Sequence, residues 1–318
     1  MADRLLILTG PTAVGKTGLS VALARQYDAE IVSADSMQVY RGMDIGTAKI
    51  SREEMEGIPH HLIDVLDPAE DCNVYRFREM AREAIDGIRS RGHLPMLVGG
   101  TGFYIQAILY DIDFTEASDN GMLRAELEER AAAGAEEVHR LWEELRQVDP
   151  EAAAQIHEHN VKRVIRALEY QRLTGEMISA HNREQRQKTS PHDYLYLALT
   201  DDRARLYERI EKRVDVMMAQ GLIPEVQRLL AHPGVTAAST AMQALGYREI
   251  ATYLAGEYDQ ERAVYLIKRN TRHFAKRQLT WFNRERDVIM VNRAGRPDRD
   301  VLEEIQAIIQ DRWGGLDT

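Results

Sequence analysis

Short apolar runs alternate with longer segments of helical spacing in the first third of the chain. Residues 5–8 form an apolar run that leads to Gly10, and residues 94–98 form another that leads to Gly99. Between them, residues 77–90 place apolar side chains four positions apart, which is typical of a helix with one buried face. The order of strand, helix and strand predicts a parallel sheet covered by helices.

The same criteria predict the other elements of this sheet and its covering helices. Apolar runs of four to six residues are assigned to strands, and amphipathic segments are assigned to helices. The pattern predicts strands at 5–8, 30–33, 94–98, 194–199 and 288–291, and helices at 16–27, 77–90, 203–220, 241–254, 260–282 and 300–312.

A charge-dense stretch rich in Ala, Glu and Arg interrupts this pattern from Asp113 to about Lys188. Its spacing predicts three helices, at 123–133, 136–147 and 161–174. Because an apolar strand pattern resumes afterwards, we interpret this stretch as an all-helical insert within one α/β unit. The predicted parts are an α/β core at 1–112, the insert at 113–190, and a completion of the core with basic helices at 191–318.

Composition narrows the class of protein. Of the 318 residues, 44% are hydrophobic and 29% are charged, which is ordinary for a globular protein in water. No apolar run approaches the length of a membrane span. The apolar run near the start of the chain is too short for a signal peptide. The single cysteine, Cys72, allows no intrachain disulfide. We therefore expect a cytoplasmic protein without a membrane partner, in which Cys72 is a small filler residue.

One segment is basic, although the whole chain has a net charge of −10. Between Arg262 and Arg286 there are eight Lys or Arg residues and one acid, Glu285. A basic stretch in an acidic protein indicates a localised site for a polyanion. Along the predicted helix, the cations that we expect to face nucleic-acid phosphates are Lys268, Arg269, Arg272, Lys276 and Arg277; Lys162, Arg163 and Arg166 form a smaller basic patch on the insert.

A phosphate-binding loop follows the first predicted strand and precedes the first helix. Its glycines allow successive backbone N–H groups to point inward, and the helix adds its positive N-terminal end. The lysine supplies a point charge, and the threonine hydroxyl is a ligand for Mg²⁺. The loop alone leaves open whether a P–O or a C–O bond breaks. It consists of Gly10, Pro11, Thr12, Ala13, Val14, Gly15, Lys16 and Thr17.

Two further polar residues follow predicted strands. Asp35 comes after the second strand, and Thr101 stands among the glycines that end the strand at 94–98. The carboxyl ends of parallel strands face the ligand crevice, so both residues are expected near the bound phosphates. Asp35 could act as a general base or an indirect Mg²⁺ ligand, or it could only form a turn. Thr101 could donate a hydrogen bond to a leaving oxygen, or the glycines could only make a tight turn.

Seven stretches, in order along most of the chain, resemble the bacterial tRNA dimethylallyltransferases, also called tRNA isopentenyltransferases. This combination is far more specific than a phosphate loop alone. The stretches are GPTAVGKT from Gly10, SADSMQVYRGMDIGTAK from Ser33, PHHLIDVLDP from Pro59, GGTGFYI from Gly99, VKRVIRALE from Val161, MQALGYREI from Met242 and RNTRHFAKRQLTWF from Arg269.

The resemblance implies one reaction on a P-loop NTPase-like fold. The dimethylallyl group of dimethylallyl diphosphate passes, with Mg²⁺, to the exocyclic amine of the adenine just 3′ of the anticodon in tRNA. It also implies a monomer that binds the anticodon stem-loop. By resemblance, Asp35 is the base, Thr101 contacts the reacting centre and the tRNA, and Arg213 holds the diphosphate. The residues implied to contact tRNA are Asp35, Ser36, Met37, Gln38, Thr101, Arg124, His159, Asn160, Val161, Lys162, Arg163, Arg269, Arg272 and Lys276.

Two other functions use the same loop. An ATP-dependent small-molecule phosphotransferase would need a donor phosphoryl site, but glycines stand where an ATPase strand typically ends in a metal-binding Asp. A nucleotide-gated RNA-binding module without catalysis would explain the basic helix but would leave Asp35 and Thr101 without a role. ATP turnover without the prenyl donor would favour the first, and loss of product in Asp35→Ala would exclude the second.

Overall fold

The computed structural model describes residues 3–112 and 121–314. Within these residues, six parallel strands form one sheet in the order β3-β2-β4-β1-β5-β6. This arrangement confirms the predicted α/β class, a P-loop NTPase-like parallel sheet flanked by helices. The strands are β1 (Arg4–Thr9), β2 (Ala29–Ala34), β3 (His60–His61), β4 (Leu94–Gly99), β5 (Asp193–Thr200) and β6 (Val288–Asn292).

Helices make up most of the remaining described chain. Those that flank the sheet belong to a unit formed by Met1–Leu109 together with Pro191–Thr318. The α-helices are α1 (Lys16–Gln26), α2 (Val74–Ser90), α3 (Gly102–Leu109), α4 (Met122–Ala132), α5 (Ala135–Val148), α6 (Pro150–Gln155), α7 (Val161–Thr174), α8 (Ile178–Gln187), α9 (Arg203–Gln220), α10 (Leu222–Leu230), α11 (Tyr247–Leu254), α12 (Gln260–Phe282) and α13 (Asp298–Trp313).

The central strands are buried on both faces, as continuous apolar runs predict for a parallel sheet. In β1, residues 5–8 have no exposed surface. One side of the sheet is covered by α1 and α13, whose buried side chains include Leu23 and Ile305. Because β2, β4 and β1 are neighbours, the loops that follow them lie side by side at one edge. This edge therefore collects the phosphate loop, Asp35 and Thr101.

The second unit, Tyr110–Ser190, contains α4 to α8. Leu127, Leu145 and Leu168 are among the buried residues of its own apolar core. The predicted break at Asp149 is confirmed, because this fully buried residue caps α6 through the Ala152 N–H at 3.0 Å. Its carboxylate also accepts hydrogen bonds from the backbone and hydroxyl of Ser179. The predicted start of the insert, residue 113, and the stretch to residue 120 lie outside the described residues.

The predicted continuous helix at 241–254 is wrong. A 3₁₀ helix covers Thr240–Gln243, and the chain is extended at Ala244 before α11 begins at Tyr247. Gly246 between them has φ 91°, a left-handed value that a continuous helix cannot contain. The elements that the pattern did not predict are short: β3, α3, α6, α8 and α10. No helix in the described ranges is long and apolar enough to cross a membrane.

Candidate active site

The phosphate loop is held against the sheet by a close backbone contact. Gly10 has φ 145°, and a Cβ atom there would lie 2.7 Å from the carbonyl oxygen of Leu199 in β5, so only glycine fits. Lys16 opens α1, and its ammonium donates hydrogen bonds to the carbonyl oxygens of Gly10 and Pro11 at 2.9 and 3.0 Å. These bonds hold the ammonium at the loop that precedes the N-terminus of α1.

Burial and neighbouring charge make Lys16 easy to deprotonate. Burial first, and then the Arg213 guanidinium, lower its pKa from 10.5 to about 8, whereas the Asp35 carboxylate acts in the opposite direction. The pKa of Arg213 is also lowered, mainly by burial and then by Arg209. No ion pair of Arg213 is found among the described residues. Lys16 and Arg213 are half-buried cations that repel each other, and a bound phosphate anion would stabilise both.

Asp35 follows the last residue of β2 and forms a turn. One carboxylate oxygen accepts a hydrogen bond from the Met37 N–H at 2.9 Å. The turn fixes the carboxylate at the strand end, where it lies near enough to Lys16 and Arg213 to act on their pKa values. Asp35 can therefore form this turn and still act as a general base or an indirect Mg²⁺ ligand.

Thr101 stands between β4 and α3. Its N–H donates to the carbonyl oxygen of Ala34, the residue before Asp35, at 3.3 Å. This hydrogen bond ties the end of β4 to the end of β2. Gly99 allows the approach, because a Cβ atom there would lie 2.3 Å from the same Ala34 carbonyl oxygen. The two predicted catalytic residues thus occupy adjacent strand ends, and both line one cavity.

Two cavities meet at these strand ends. The smaller has a volume of about 130 Å³ and contains Lys16, Thr17 and much of the phosphate loop in its wall. The larger has a volume of about 640 Å³, and its wall includes Thr101 and several arginines. Asp35 lies in both walls. The residues shared by the two walls are Thr12, Asp35, Thr47, Arg213, Phe274 and Gln278.

The larger cavity is strongly basic. Four arginines lie in its wall, from the three helices α9, α11 and α12, and α12 contributes much of the surface. Arg269 is in this wall, as are Ser36 and Met37, whereas Gln38 lines the smaller cavity. The four arginines are Arg213, Arg248, Arg269 and Arg277.

The cations of α12 divide into two groups. Lys268 and Arg272 form ion pairs with Asp215 and Glu211 on α9. Lys276 is exposed and has no ion pair within the described chain. Phe282 is fully buried, whereas Phe274 is half-buried and lines both cavities. Arg262, Arg269 and Arg277 likewise form no ion pair among the described residues, so unpaired cations lie in both halves of the helix.

The predicted contacts on the insert are in two places within that unit. Asn160 is the N-cap of α7, and Lys162 and Arg163 are exposed in its first turn, beside the exposed His159 and the half-buried Val161. Arg124, by contrast, forms an ion pair within the unit. Its guanidinium donates two hydrogen bonds to the buried carboxylate of Glu169, at 3.1 and 2.7 Å. A role for Arg124 in RNA binding would have to compete with this ion pair.

A buried carboxylate holds the loop that supports Gln38. Glu225 on α10 accepts hydrogen bonds from three successive backbone N–H groups, of residues 44–46, at 2.9 to 3.1 Å. It also accepts one from the Tyr247 hydroxyl at 2.6 Å. The next residue of the loop, Thr47, accepts a hydrogen bond from the Gln38 amide at 3.3 Å. Glu225 thus fixes part of the wall shared by both cavities.

Replacing Glu225 by alanine is expected to destabilise the protein by roughly 2–5 kcal/mol, because one buried and three partly buried donors lose their acceptor. Tyr247→Phe removes one donor together with its bond and should cost only about 1–2 kcal/mol. Urea denaturation of both variants and the parent measures these values. Equal stability of Glu225→Ala and the parent would mean that water satisfies the loop as well as the carboxylate does.

Two residues important to this geometry were not predicted, Gln278 and Glu225. Gln278 lies on the buried face of α12, in line with Ala275 and Phe282. The available signal was a polar residue on an apolar stripe, which indicates a buried hydrogen bond. Cys72 is buried, in agreement with its prediction as a small filler residue, and burial raises the pKa of its thiol to about 11.

The described residues contain no cluster of three or more His, Cys, Asp or Glu side chains suited to a metal ion. The smaller cavity does offer the hydroxyl of Thr17 as a hard oxygen donor, and the carboxylate of Asp35 lies in the same wall. A cation there would have to take its other ligands from a bound phosphate and water, which suits Mg²⁺.

Comparisons with known proteins agree over nearly the whole chain. A family model described as IPP transferase matches residues 38–285, and one described as isopentenyl transferase matches residues 3–65. A tRNA dimethylallyltransferase of Lachnoclostridium phytofermentans is 54% identical over 310 residues, which cover 97% of this chain and 98% of that protein. One from Symbiobacterium thermophilum is 50% identical over 315 residues, covering 97% and 96%.

Solved structures show the same likeness. The tRNA isopentenylpyrophosphate transferase of Bacillus halodurans is 42% identical, with a TM-score of 0.74 over 98% of this chain and 96% of that one. A eukaryotic dimethylallyltransferase, captured acting on tRNA, is 29% identical, with a TM-score of 0.82 over 97% of this chain and 78% of that one.

Proposed function

Because the chain belongs to the IPP transferase family, that of the tRNA dimethylallyltransferases, we propose that it transfers a dimethylallyl group to tRNA. The donor is dimethylallyl diphosphate, and the acceptor is the exocyclic amine of the adenine immediately 3′ of the anticodon. Diphosphate is released. The observation that carries the proposal is the junction of the two cavities, where a phosphate-loop cavity opens beside Asp35 into a larger, arginine-lined one.

The smaller cavity holds the diphosphate in this proposal. The N–H groups of the phosphate loop, the ammonium of Lys16 and the guanidinium of Arg213 converge on it. As the C–O bond of the donor breaks, its electron pair passes to the diphosphate. Fixed positive groups stabilise the negative charge where it develops. No phosphoryl group is transferred, which agrees with the absence of a carboxylate at the end of β4.

The acceptor adenine enters through the larger cavity. Its amine is a poor nucleophile, because the lone pair is delocalised into the ring. As the new N–C bond forms, Asp35 takes the proton from this amine, so that the product nitrogen is neutral. The Thr101 hydroxyl lies in the same wall and contacts the reacting centre. A base in a single-stranded loop is the easiest to extrude into such a pocket.

Mg²⁺ is part of the proposal. Thr17, and Asp35 indirectly, would hold the ion beside the diphosphate. When bound, Mg²⁺ supplies positive charge to the leaving group.

The anticodon stem-loop is the proposed partner. Exposed cations of α12 and the first turn of α7, with His159, Asn160, Val161, Lys162 and Arg163, contact its phosphates and loop. We expect the chain to act as a monomer, in the cytoplasm where tRNA is found.

Transfer to a minimal stem-loop tests the acceptor. We expect isotope-labelled dimethylallyl diphosphate to label an anticodon stem-loop with adenine 3′ of the anticodon, and not the same stem-loop with guanine there. Equal labelling of both RNAs would contradict the assigned base. Omission of Mg²⁺ should suppress the labelling.

Lys276→Ala is expected to reduce the slope of log affinity for tRNA against log salt by about one, because one phosphate contact is lost. Arg272→Ala should reduce it less, since its guanidinium is already paired with Glu211. Filter binding at several salt concentrations measures both slopes. Arg299→Ala is a matched control, because this exposed arginine lies on α13, away from both cavities. An unchanged slope in Lys276→Ala would remove that residue from the RNA surface.

A further inference from the structure

The side chain of Gln278 joins the two loops on which the proposed reaction depends. Its amide oxygen accepts a hydrogen bond from the Thr12 N–H of the phosphate loop at 2.9 Å. Its amide nitrogen donates to the carbonyl oxygen of Gly100, the residue before Thr101, at 2.9 Å. The side chain is 6% exposed and lies in the walls of both cavities. One amide therefore bridges the diphosphate site and the loop of the reacting centre.

The glycine at position 100 is matched to this bridge. A Cβ atom on Gly100 would lie 2.3 Å from the amide nitrogen of Gln278, and it would lie 3.4 Å from the carbonyl oxygen of Gly10. Any larger residue would displace the amide from the gap between the loops. Glycine is therefore needed at both positions: Gly99 makes room for the backbone of β2, and Gly100 makes room for the amide of Gln278.

The chemistry of an amide suits the position. Thr12 offers a donor and Gly100 offers an acceptor, and only a group that both accepts and donates satisfies the two at once. Because the Thr12 N–H donates to Gln278, it holds the loop in place and is not one of the N–H groups that bind phosphate. Because α12 is anchored in the core through Ala275 and Phe282, the bridge sets both loops relative to a rigid helix.

We propose that Gln278 is a positioning residue, which fixes the separation between the diphosphate and the Thr101 loop so that donor carbon and adenine amine meet in line. The proposal rests on the proposed function. Both ends of the Gln278 amide are already engaged by the two loops. It acts through Thr12 and Gly100, and its loss should impair the chemical step rather than substrate binding.

The test replaces Gln278 by methionine, which keeps the volume, and by glutamate, which keeps the acceptor but cannot donate to Gly100. Gln227→Met, at an exposed position of α10, is the matched control. We expect kcat to fall roughly tenfold to hundredfold in both Gln278 variants, since small misplacements of reacting groups have effects of this size. The affinity for dimethylallyl diphosphate, measured by calorimetry, should stay within about threefold, because the loop N–H groups that face the phosphates are retained.

A double-mutant cycle with Thr101→Val separates positioning from stability. If Gln278 acts through the Thr101 loop, Gln278→Met should reduce kcat by no more than about threefold in the Thr101→Val background. A residue that only stabilised the fold would give the same reduction in both backgrounds and a lower active fraction. Gly100→Ala, which displaces the amide from the other side, should reproduce the loss of kcat.

Two results would overturn the inference. One is a kcat within twofold of the parent in a folded Gln278→Glu or Gln278→Met variant. The other is an additive cycle with Thr101→Val. If the Gln278 variants do not fold, Gly100→Ala decides, and an unchanged kcat there counts against the inference. Absence of prenyl transfer by the parent protein is a different failure, because it would reject the proposed function itself.

Discussion

Asp35→Asn is expected to lower kcat for prenyl transfer by about 10²–10⁴-fold, the usual contribution of a general base. The asparagine oxygen can still accept the Met37 N–H that holds the turn at 2.9 Å, so the strand end keeps its shape. What disappears is the group that takes the proton from the adenine amine. Affinity for tRNA should remain within about threefold, because no phosphate contact is lost.

Single-turnover kinetics and filter binding on the same preparation measure the two quantities for Asp35→Asn. Asp86→Asn is the matched control, since this highly exposed carboxylate lies on α2 and outside both cavity walls. Retention of the parent rate in Asp35→Asn would assign the proton to another acceptor. A parallel loss of rate and tRNA affinity would instead indicate that Asp35 organises the RNA site.

Lys16→Met is expected to lower kcat by roughly 10²–10³-fold, comparable to the removal of one donor from an oxyanion site. Lysine is the cation of the phosphate loop, and its ammonium already lies within 3.0 Å of two loop carbonyl oxygens, ready to turn to a phosphate. Methionine keeps the length and apolar stem of the side chain. Steady-state kinetics with saturating tRNA provides the measurement.

The same variant tests the lowered pKa of Lys16. In the free protein this pKa is about 8, so the ammonium loses its proton as the pH rises through that value. The advantage of the parent over Lys16→Met in donor affinity should therefore be largest at pH 7 and shrink towards pH 9. Titration of the donor's own phosphates is the same in both proteins and cancels in the ratio. If the ratio of the two donor affinities stayed constant from pH 7 to pH 9, the charge on Lys16 would not contribute to donor binding.

The strand-end motifs could be predicted because each is local in sequence. The phosphate loop, Asp35 and the glycines before Thr101 follow apolar runs, and parallel topology brings such ends together. The predicted fold class and family resemblance are confirmed by the sheet and by the matches over nearly the whole chain. The roles of individual site residues stay predictions.

Contacts between distant segments could not be predicted from the pattern. Gln278 reaches Gly100 across 178 positions and Thr12 across 266, and nothing in the spacing of α12 identifies these partners. The charge density of α12 gave the correct sign of the surface but not the state of each cation. Arg272 is paired with Glu211 on α9, whereas Lys276 is exposed, and only the packing of the two helices distinguishes them.

Mass spectrometry of unmodified tRNA incubated with the protein, dimethylallyl diphosphate and Mg²⁺ is the decisive experiment for prenyl transfer. We expect the gain of one dimethylallyl group per substrate tRNA, located in the nuclease fragment that contains the adenine 3′ of the anticodon. Asp35→Asn should give almost none. A tRNA pool without any mass gain, together with ATP turnover by the same active preparation, would reject the proposed function and show that the phosphate loop serves phosphoryl transfer.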